Sequence, residues 1–277
     1  MTAWSRFRQH RAGLAGAVVV ALFAVLALAA WGGWVGSGAT ELGDTQWAPA
    51  SADHWLGTNR LGQDIAARAL AGTALAFGLG TVVALASTAL GAAIGAIAGW
   101  RAGRPTDLAA TWLMGVLDAI PFYLFAAALA FALSGQAWAM VLAMVATFWT
   151  PTARLVRAEV LRLRALDHVA AARALGLGEL LILGRHVLPN TAHILLVQAT
   201  LAFVAAIKTE VILSFLGIGV QDGVSWGLML AEATQDVLAG HFGNFIAASS
   251  LLFALLLGFN LLSDGLQDVL GVREEAA

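Results

Sequence analysis

The sequence contains no cysteine and little charge. Without cysteine there are no disulfides, thiol nucleophiles, iron–sulfur clusters or cysteine-ligated metals. Only 12% of the 277 residues are charged, against about 25% in an ordinary soluble domain. With a formal net charge of −2, the chain has no basic surface of the kind that follows nucleic-acid phosphates. These absences argue against a soluble globular domain and against a nucleic-acid-binding protein.

The motifs of common ATPase and hydrolase sites are also absent. Lys208 is the sole lysine, and the stretch before it lacks the glycines of a phosphate-binding loop. The six histidines are scattered, and neither HExxH nor GxSxG occurs. We therefore expect that this chain is not an enzyme, has no metal site and binds no cofactor.

Hydrophobic residues make up 60% of the chain and cluster in long segments. A bilayer-crossing helix needs about 20 apolar residues. Six segments qualify: 12–34, 74–100, 108–133, 137–153, 191–216 and 244–263. Ten tryptophans against one tyrosine are typical of anchoring at two membrane interfaces. The sequence thus predicts an all-α membrane protein with six transmembrane helices.

The first segment also has features of a signal peptide, with basic residues before it and an Ala-Leu-Ala sequence within it. Its apolar run is long for a signal peptide, so an uncleaved helix is favoured. With the N-terminus inside, 12 of the 15 basic residues fall in cytoplasmic segments, and only Arg60 and Arg68 lie outside. Cytoplasmic loops are enriched in Arg and Lys, so both termini are predicted to be cytoplasmic.

This topology divides the chain into consecutive regions. Their predicted bounds are a cytoplasmic tail at 1–11, the first helix at 12–34, an outer, periplasmic loop at 35–73, a helical core at 74–264 that includes a cytoplasmic loop at 154–190, and a cytoplasmic tail at 265–277. A tight turn is expected at 134–136, and a second outer loop at 217–243.

The sequence of the cytoplasmic loop predicts two short helices between the fourth and fifth spans. Asp167 is a suitable N-cap and Gly176 a suitable C′ residue for the first helix. The second runs from Gly178 to Val187, and Pro189 predicts a break before the fifth span. We call residues 167–189 the cytoplasmic knob. Its alanines let another surface approach closely, although an amphipathic hairpin lying on lipid headgroups fits the pattern equally well.

The cytoplasmic knob resembles a known coupling motif. Its Ala-Ala sequence, followed by Gly176 and a closing Leu188-Pro189, is similar to the EAA motif of permeases from binding-protein-dependent ABC importers. Ala170 stands where that motif has glutamate. Further motifs at 54–64, 200–227 and 259–266 resemble the dipeptide/oligopeptide/nickel family, specifically its C-type subunit. The resemblance covers essentially the whole chain.

The resemblance implies a permease subunit that moves peptides, nickel or a related small solute by alternating access. The implied partners are a second homologous permease forming a heterodimer, two ATPase subunits that carry ATP and Mg²⁺, a periplasmic or lipid-anchored substrate-binding protein, and the lipid bilayer. The implied location is the cytoplasmic (inner) membrane of a bacterium or archaeon. A secondary transporter or channel without an ATPase is the alternative, but it gives no reason for the cytoplasmic knob.

The resemblance also implies which residues couple the permease to its ATPase. The candidate coupling residues are Asp167, Ala170, Ala171, Ala172, Arg173, Gly176, His186, Leu188 and Pro189.

Charged residues inside the predicted spans are candidates for the transport pathway, because a charge in a membrane is costly and normally faces a polar interior. Asp118 lies in the third span, near Pro121, and Lys208 and Glu210 lie near the outer end of the fifth. Hydrogen bonding to backbone freed by Pro121, or to a neighbouring helix, is the alternative for Asp118. Snorkelling to the interface is the alternative for Lys208 and Glu210, which point to different helix faces.

Two further groups concern shape. The first group, which we call the outer-loop motif, consists of His54, Gly57, Thr58, Gly62 and Asp64. It is too polar to suggest a core, and we expect it to form the surface that meets the binding protein or the second permease. The second group, which we call the glycine face, consists of Gly91, Gly95 and Gly99. It allows close approach of another helix, which belongs either to this chain or to the second permease.

Overall fold

The computed structural model describes residues 3–132, 137–219 and 223–270, which form helices and one isolated β-bridge. The α-helices, in chain order, are α1 (Ala3–Gln9), α2 (Arg11–Trp31), α3 (Ile65–Trp100), α4 (Pro105–Ala119), α5 (Phe122–Ala132), α6 (Ala137–Leu163), α7 (Asp167–Ala174), α8 (Glu179–Ile182), α9 (Ala192–Phe215), α10 (Trp226–Leu238) and α11 (Gly243–Leu270). The predicted all-α class is therefore confirmed for the described residues. The turn expected at 134–136 lies outside them.

Five helical segments are long and apolar enough to cross a membrane, or six if the bent pair α4–α5 forms one span. The two helices of that pair meet at 88°. Pro121 follows the end of α4 and cannot continue its hydrogen-bond ladder. The third span expected at 108–133 is therefore interrupted by a sharp bend, which is the geometry of a broken span or of a re-entrant loop.

Other helix bounds also differ from the predicted ones. α2 ends at Trp31 rather than residue 34, and α11 continues to Leu270, into the predicted tail. α3 begins at Ile65 rather than residue 74, because Asp64 caps it by accepting a hydrogen bond from the Ala67 amide at 2.6 Å. The first outer loop is correspondingly shorter than predicted.

α3 is the central helix, and its glycine face packs on α6 of the same chain. A Cβ atom at Gly91 would lie 2.6 Å from the Trp149 carbonyl oxygen, and one at Gly99 would lie 2.6 Å from that of Arg157. Gly95 is similarly close to Ala153. The helix that approaches the glycine face therefore lies within this chain, which resolves the alternative left open by the sequence.

Candidate functional site

The cytoplasmic knob begins with α7. Leu166 is its N-cap, so Asp167 is the first helical residue rather than the cap. The Asp167 carboxylate lies in the first turn, where the helix dipole favours negative charge. After α7 the chain turns at Gly176, which has a φ of 78° and whose amide donates to the Arg173 carbonyl at 2.9 Å. Gly176 thus has the left-handed geometry expected of a C′ glycine.

The second half of the cytoplasmic knob leads into α9 without a break. α8 continues as a π-helical turn at Leu183–Val187 and a 3₁₀ turn at Leu188–Thr191, and the whole stretch from Glu179 to Phe215 is helical. Pro189 lies in the first turn of the 3₁₀ segment, where a missing amide costs little. The break predicted at Pro189 is therefore wrong, and the knob is joined directly to a span.

One face of the cytoplasmic knob is anchored on the membrane helices. Val169, Ala172 and Ile182 are buried among side chains from the ends of α3 and α6. Ala172 is 5% exposed and so faces inward, away from any docking partner. The Arg173 guanidinium lies 4.7 Å from the centre of the Trp100 ring, which ties α7 to α3.

The opposite face of the cytoplasmic knob is exposed and largely apolar. Leu175 and Leu180 are 82% and 81% exposed, and Ala170 and Ala171 are exposed beside them. Of the other candidate coupling residues, Pro189 is exposed, whereas His186 and Leu188 are half-buried. Exposed apolar surface of this kind is typical of a protein or membrane contact.

A second feature is a cavity of about 580 Å³ at the break between α4 and α5, bounded also by α6 and α9. We call it the membrane cavity. Its polar lining residues are Asp118, Thr147, Thr150 and Gln198. The Thr150 hydroxyl donates to Asp118 at 2.8 Å, and Arg154 forms an ion pair with the same carboxylate. Asp118 is therefore held by side chains of a neighbouring helix, α6, at the edge of the cavity, which is one of the two hydrogen-bonding alternatives left open by the sequence.

The two charged residues of α9 lie in different environments. Glu210 is 1% exposed and accepts a hydrogen bond from the Ser214 hydroxyl at 2.7 Å, so it does not face the membrane cavity. Lys208 is exposed and continues the face of α9 that carries Gln198 and Ala205, which line the cavity. The structure thus separates the pair, as expected from their spacing, and leaves only Lys208 near the pathway candidates.

The outer-loop motif forms the entry to α3 instead of a free surface. Gly57 and Gly62 have φ values of 75° and 72° in turns that pack against neighbouring backbone. Thr58 is 4% exposed, and its hydroxyl donates to the Thr45 carbonyl at 2.8 Å. His54 lies 2.8 Å from the Asp64 carboxylate, which also caps α3. Gly57, Thr58 and Gly62 are therefore buried despite the polar character of the motif, whereas His54 and Asp64 are half-buried.

Sequence reasoning missed two residues that organise these sites. Arg154, which follows the predicted fourth span, pairs with Asp118. Arg68 is 3% exposed and donates to Glu232 of α10 at 2.7 Å, which joins the outer loop, α3 and α10. A buried or intramembrane charge requires a partner of opposite sign, and this rule was the available signal. Among the described residues, no group of three or more His, Asp or Glu side chains could hold a metal ion.

Comparisons with known proteins agree with this architecture. Residues 91–274, more than half of the chain, match the family described as the binding-protein-dependent transport system inner membrane component. The dipeptide transport system permease protein DppC of Bacillus subtilis is 32% identical, over 97% of this chain and 84% of its own. OppC, the oligopeptide permease protein of the same organism, is also 32% identical, over 96% and 87%.

A third relative is the glutathione transport system permease protein GsiD of Pectobacterium atrosepticum. It is 37% identical, over 96% of this chain and 89% of its own length. These relatives span nearly the whole chain, as the resemblance in the sequence motifs implied. The chain therefore belongs to the family of inner membrane components of binding-protein-dependent transport systems, and it is a transmembrane permease subunit of an ABC importer.

Proposed function

We propose that this chain forms, with a second homologous permease, the pathway by which an ATP-driven importer brings peptides or a chemically related solute across the inner membrane. Three relatives are named for dipeptides, oligopeptides and glutathione, and all three solutes contain peptide bonds. Two ATPase subunits on the cytoplasmic side bind ATP and Mg²⁺, and a substrate-binding protein delivers the solute from outside. The bacterial or archaeal location belongs to the same proposal.

The cytoplasmic knob is the proposed docking surface for an ATPase subunit. The observation that carries this role is its two-faced structure, with Val169 and Ala172 anchored on α3 and α6 while Leu175 and Leu180 are exposed. A partner that covers the leucines gains the free energy of burying apolar surface, roughly 25 cal/mol per Å² before the costs of association. A secondary transporter has no ATPase to dock on such a surface, and family membership does not favour that alternative.

The helix from Glu179 to Phe215 is the proposed mechanical link between ATP hydrolysis and the pathway. Because it is helical throughout, a push on the cytoplasmic knob tilts α9 as a rigid element. Gln198 and Ala205 on α9 line the membrane cavity, so such a tilt changes the shape of that cavity. The cavity between α9 and the α4–α5 break is the proposed part of the pathway, with Asp118 and Lys208 as its charged contributors.

Co-purification from a detergent extract of the native membrane tests the docking role. Native bait is expected to recover a second permease and an ATPase with a phosphate-binding loop. Gly176→Asp adds a charged side chain where nothing lies within 4 Å, so its cost to the fold is the backbone strain at a φ of 78° rather than a steric clash, whereas a docked surface would meet the new charge. We expect ATPase recovery to fall by at least about tenfold, with the second permease retained.

Gly33→Asp is the matched control. Gly33 also has a positive φ, of 73°, and nothing within 4 Å, but it follows α2 at the predicted outer side. It is expected to recover both partners at the native level. Equal loss of ATPase from the two variants would contradict the docking role, and a monodisperse native bait that recovers no ATPase would contradict the importer itself.

A further inference from the structure

Four arginines line a cavity of about 410 Å³ at the end of the helices that is predicted to be cytoplasmic. We call it the arginine cavity. It lies between the turn that joins α3 to α4, the end of α6 and the cytoplasmic knob. Its described lining residues are Trp100, Arg101, Ala102, Arg104, Arg164, Arg173 and Glu179. Four guanidinium groups face a single carboxylate there, so the cavity is strongly cationic.

The neighbouring arginines show that this excess is local. Arg157 donates to Asp107 at 2.6 Å, and Arg162 pairs with Glu159 at the same distance. Within the described ranges of the chain, none of the four arginines of the cavity forms a salt bridge. An anion that entered the cavity would therefore supply negative charge to balance these arginines, which no salt bridge among the described residues provides.

Two of the arginines are already fixed in place. Arg164 donates to the Trp100 carbonyl at 3.0 Å, and Arg173 lies over the Trp100 ring. Arg101 and Arg104 follow in the turn after Trp100 and are exposed. The site thus combines two positioned guanidinium groups with two exposed ones around one indole ring, and the positioned pair needs little reorganisation to bind an anion.

The position of the arginine cavity indicates the source of that anion. α3 ends at Trp100 and α6 ends at Leu163, so the cavity lies where two membrane helices reach the cytoplasmic surface. Tryptophan is enriched at the level of the lipid headgroups. Basic pockets between membrane helices at the cytoplasmic face suit anionic headgroups, and the planar guanidinium group forms paired hydrogen bonds with phosphate oxygens.

We propose that the arginine cavity binds a phosphate anion, carried by an anionic phospholipid headgroup of the cytoplasmic leaflet or free in the cytoplasm. This site is separate from the membrane cavity and does not depend on the transported solute. A headgroup bound there contacts α3, α6 and α7 together, and so fastens the cytoplasmic knob to the membrane surface.

The test measures lipid retained by the purified full-length chain. The protein is equilibrated in micelles that contain equal amounts of phosphatidylglycerol and phosphatidylcholine, washed, and its bound lipid is counted by mass spectrometry. We expect the wild type to retain phosphatidylglycerol in preference. Loss of that lipid on washing with millimolar inorganic phosphate, but not with chloride of equal ionic strength, shows that free phosphate competes for the same site. Its retention assigns the site to the lipid, and both outcomes support a phosphate site.

Charge variants locate the site. The double variant Arg101→Gln/Arg104→Gln is expected to lower phosphatidylglycerol retention by about tenfold. Arg6→Gln/Arg8→Gln removes the same charge from exposed positions of α1 and is the matched control, with retention near the wild-type value. Glu179→Gln removes the carboxylate of the cavity and is expected to raise retention, by up to about fivefold.

The two double variants decide the outcome. All the altered side chains are exposed, so each variant is expected to elute as a monodisperse protein. Equal losses in the two double variants, or equal retention of the two lipids by the wild type, would overturn the proposal. An unchanged or lower retention in Glu179→Gln would also overturn it, because removing a negative charge from an anion site strengthens binding.

Discussion

Asp118 lies in the last turn of α4, where the negative end of the helix dipole disfavours a carboxylate. Two side chains of α6 offset this cost, since Arg154 supplies a positive charge and Thr150 a hydroxyl donor. The pair also joins α4 to α6 at the point where the third span breaks. The charge pair therefore fixes the edge of the membrane cavity.

A double-mutant cycle measures this pair. Asp118→Asn and Arg154→Gln each leave one unpaired charge beside the membrane cavity, so each is expected to lower the thermal unfolding midpoint of the purified chain in detergent. Both side chains are about half-exposed, so the coupling free energy is expected to be roughly 1 kcal/mol or less. Asp118→Asn/Arg154→Gln, which leaves no unpaired charge, is expected to be at least as stable as the weaker single variant.

The alternative outcome of the cycle is additivity. If the two single effects simply add in Asp118→Asn/Arg154→Gln, the ion pair contributes nothing to stability. Thr150→Val provides a separate check, because it removes the hydroxyl donor to Asp118 without changing charge. It is expected to cost about 1 kcal/mol.

At the scale of elements, the close packing of α3 on α6 is set by the glycine face. Helix association within a bilayer depends on van der Waals contact, because lipid tails are as apolar as the side chains. Small residues allow two backbones to approach, and here the carbonyl groups of Trp149 and Arg157 lie where larger side chains of α3 would be. The same contact holds the end of α6, and with it the base of the cytoplasmic knob.

Gly95→Ala tests this contact. The new Cβ meets the backbone of Ala153 in the interior of α6, which cannot move aside as a flexible side chain can. Overpacking of this kind costs about 1–3 kcal/mol, so a lower thermal unfolding midpoint is expected in detergent. Gly115→Ala is the control, because Gly115 also lies within a helix but has nothing within 4 Å of its added Cβ. It is expected to leave the midpoint unchanged or raised, and equal losses would contradict the role of the glycine face.

The elements that the sequence predicted well are those marked by long apolar runs, because burial in lipid requires them. It missed the start of α3, because Arg68 in the first turns of that helix interrupts the hydrophobic pattern. The partners of Arg68 are Gln63, the Ala39 carbonyl and Glu232, of which Glu232 is distant in sequence. It also missed the bend at Pro121, because a proline in an apolar run is compatible with a kink or with a full break. In both cases the answer depends on contacts distant in sequence.

The candidate site was predictable to a similar extent. The left-handed turn at Gly176 follows from local backbone chemistry, and the structure has it. The inward orientation of Ala172 could not be predicted, because alanine fits an exposed and a buried face equally well. The ion pair of Asp118 with Arg154 joins residues of two helices, and no local pattern indicates it.

At the scale of the whole molecule, the orientation in the membrane remains a prediction from the arginine distribution. The absence of cysteine makes it directly measurable, because each introduced cysteine is the sole thiol. Ala52→Cys and Ala239→Cys lie at exposed outer positions, and Ala165→Cys lies at an exposed cytoplasmic one between α6 and α7. A membrane-impermeant maleimide is expected to label the first two in right-side-out vesicles, and Ala165→Cys only in inverted vesicles. Labelling of Ala165→Cys from outside would reverse the topology, and with it the placement of the cytoplasmic knob beside the ATPase.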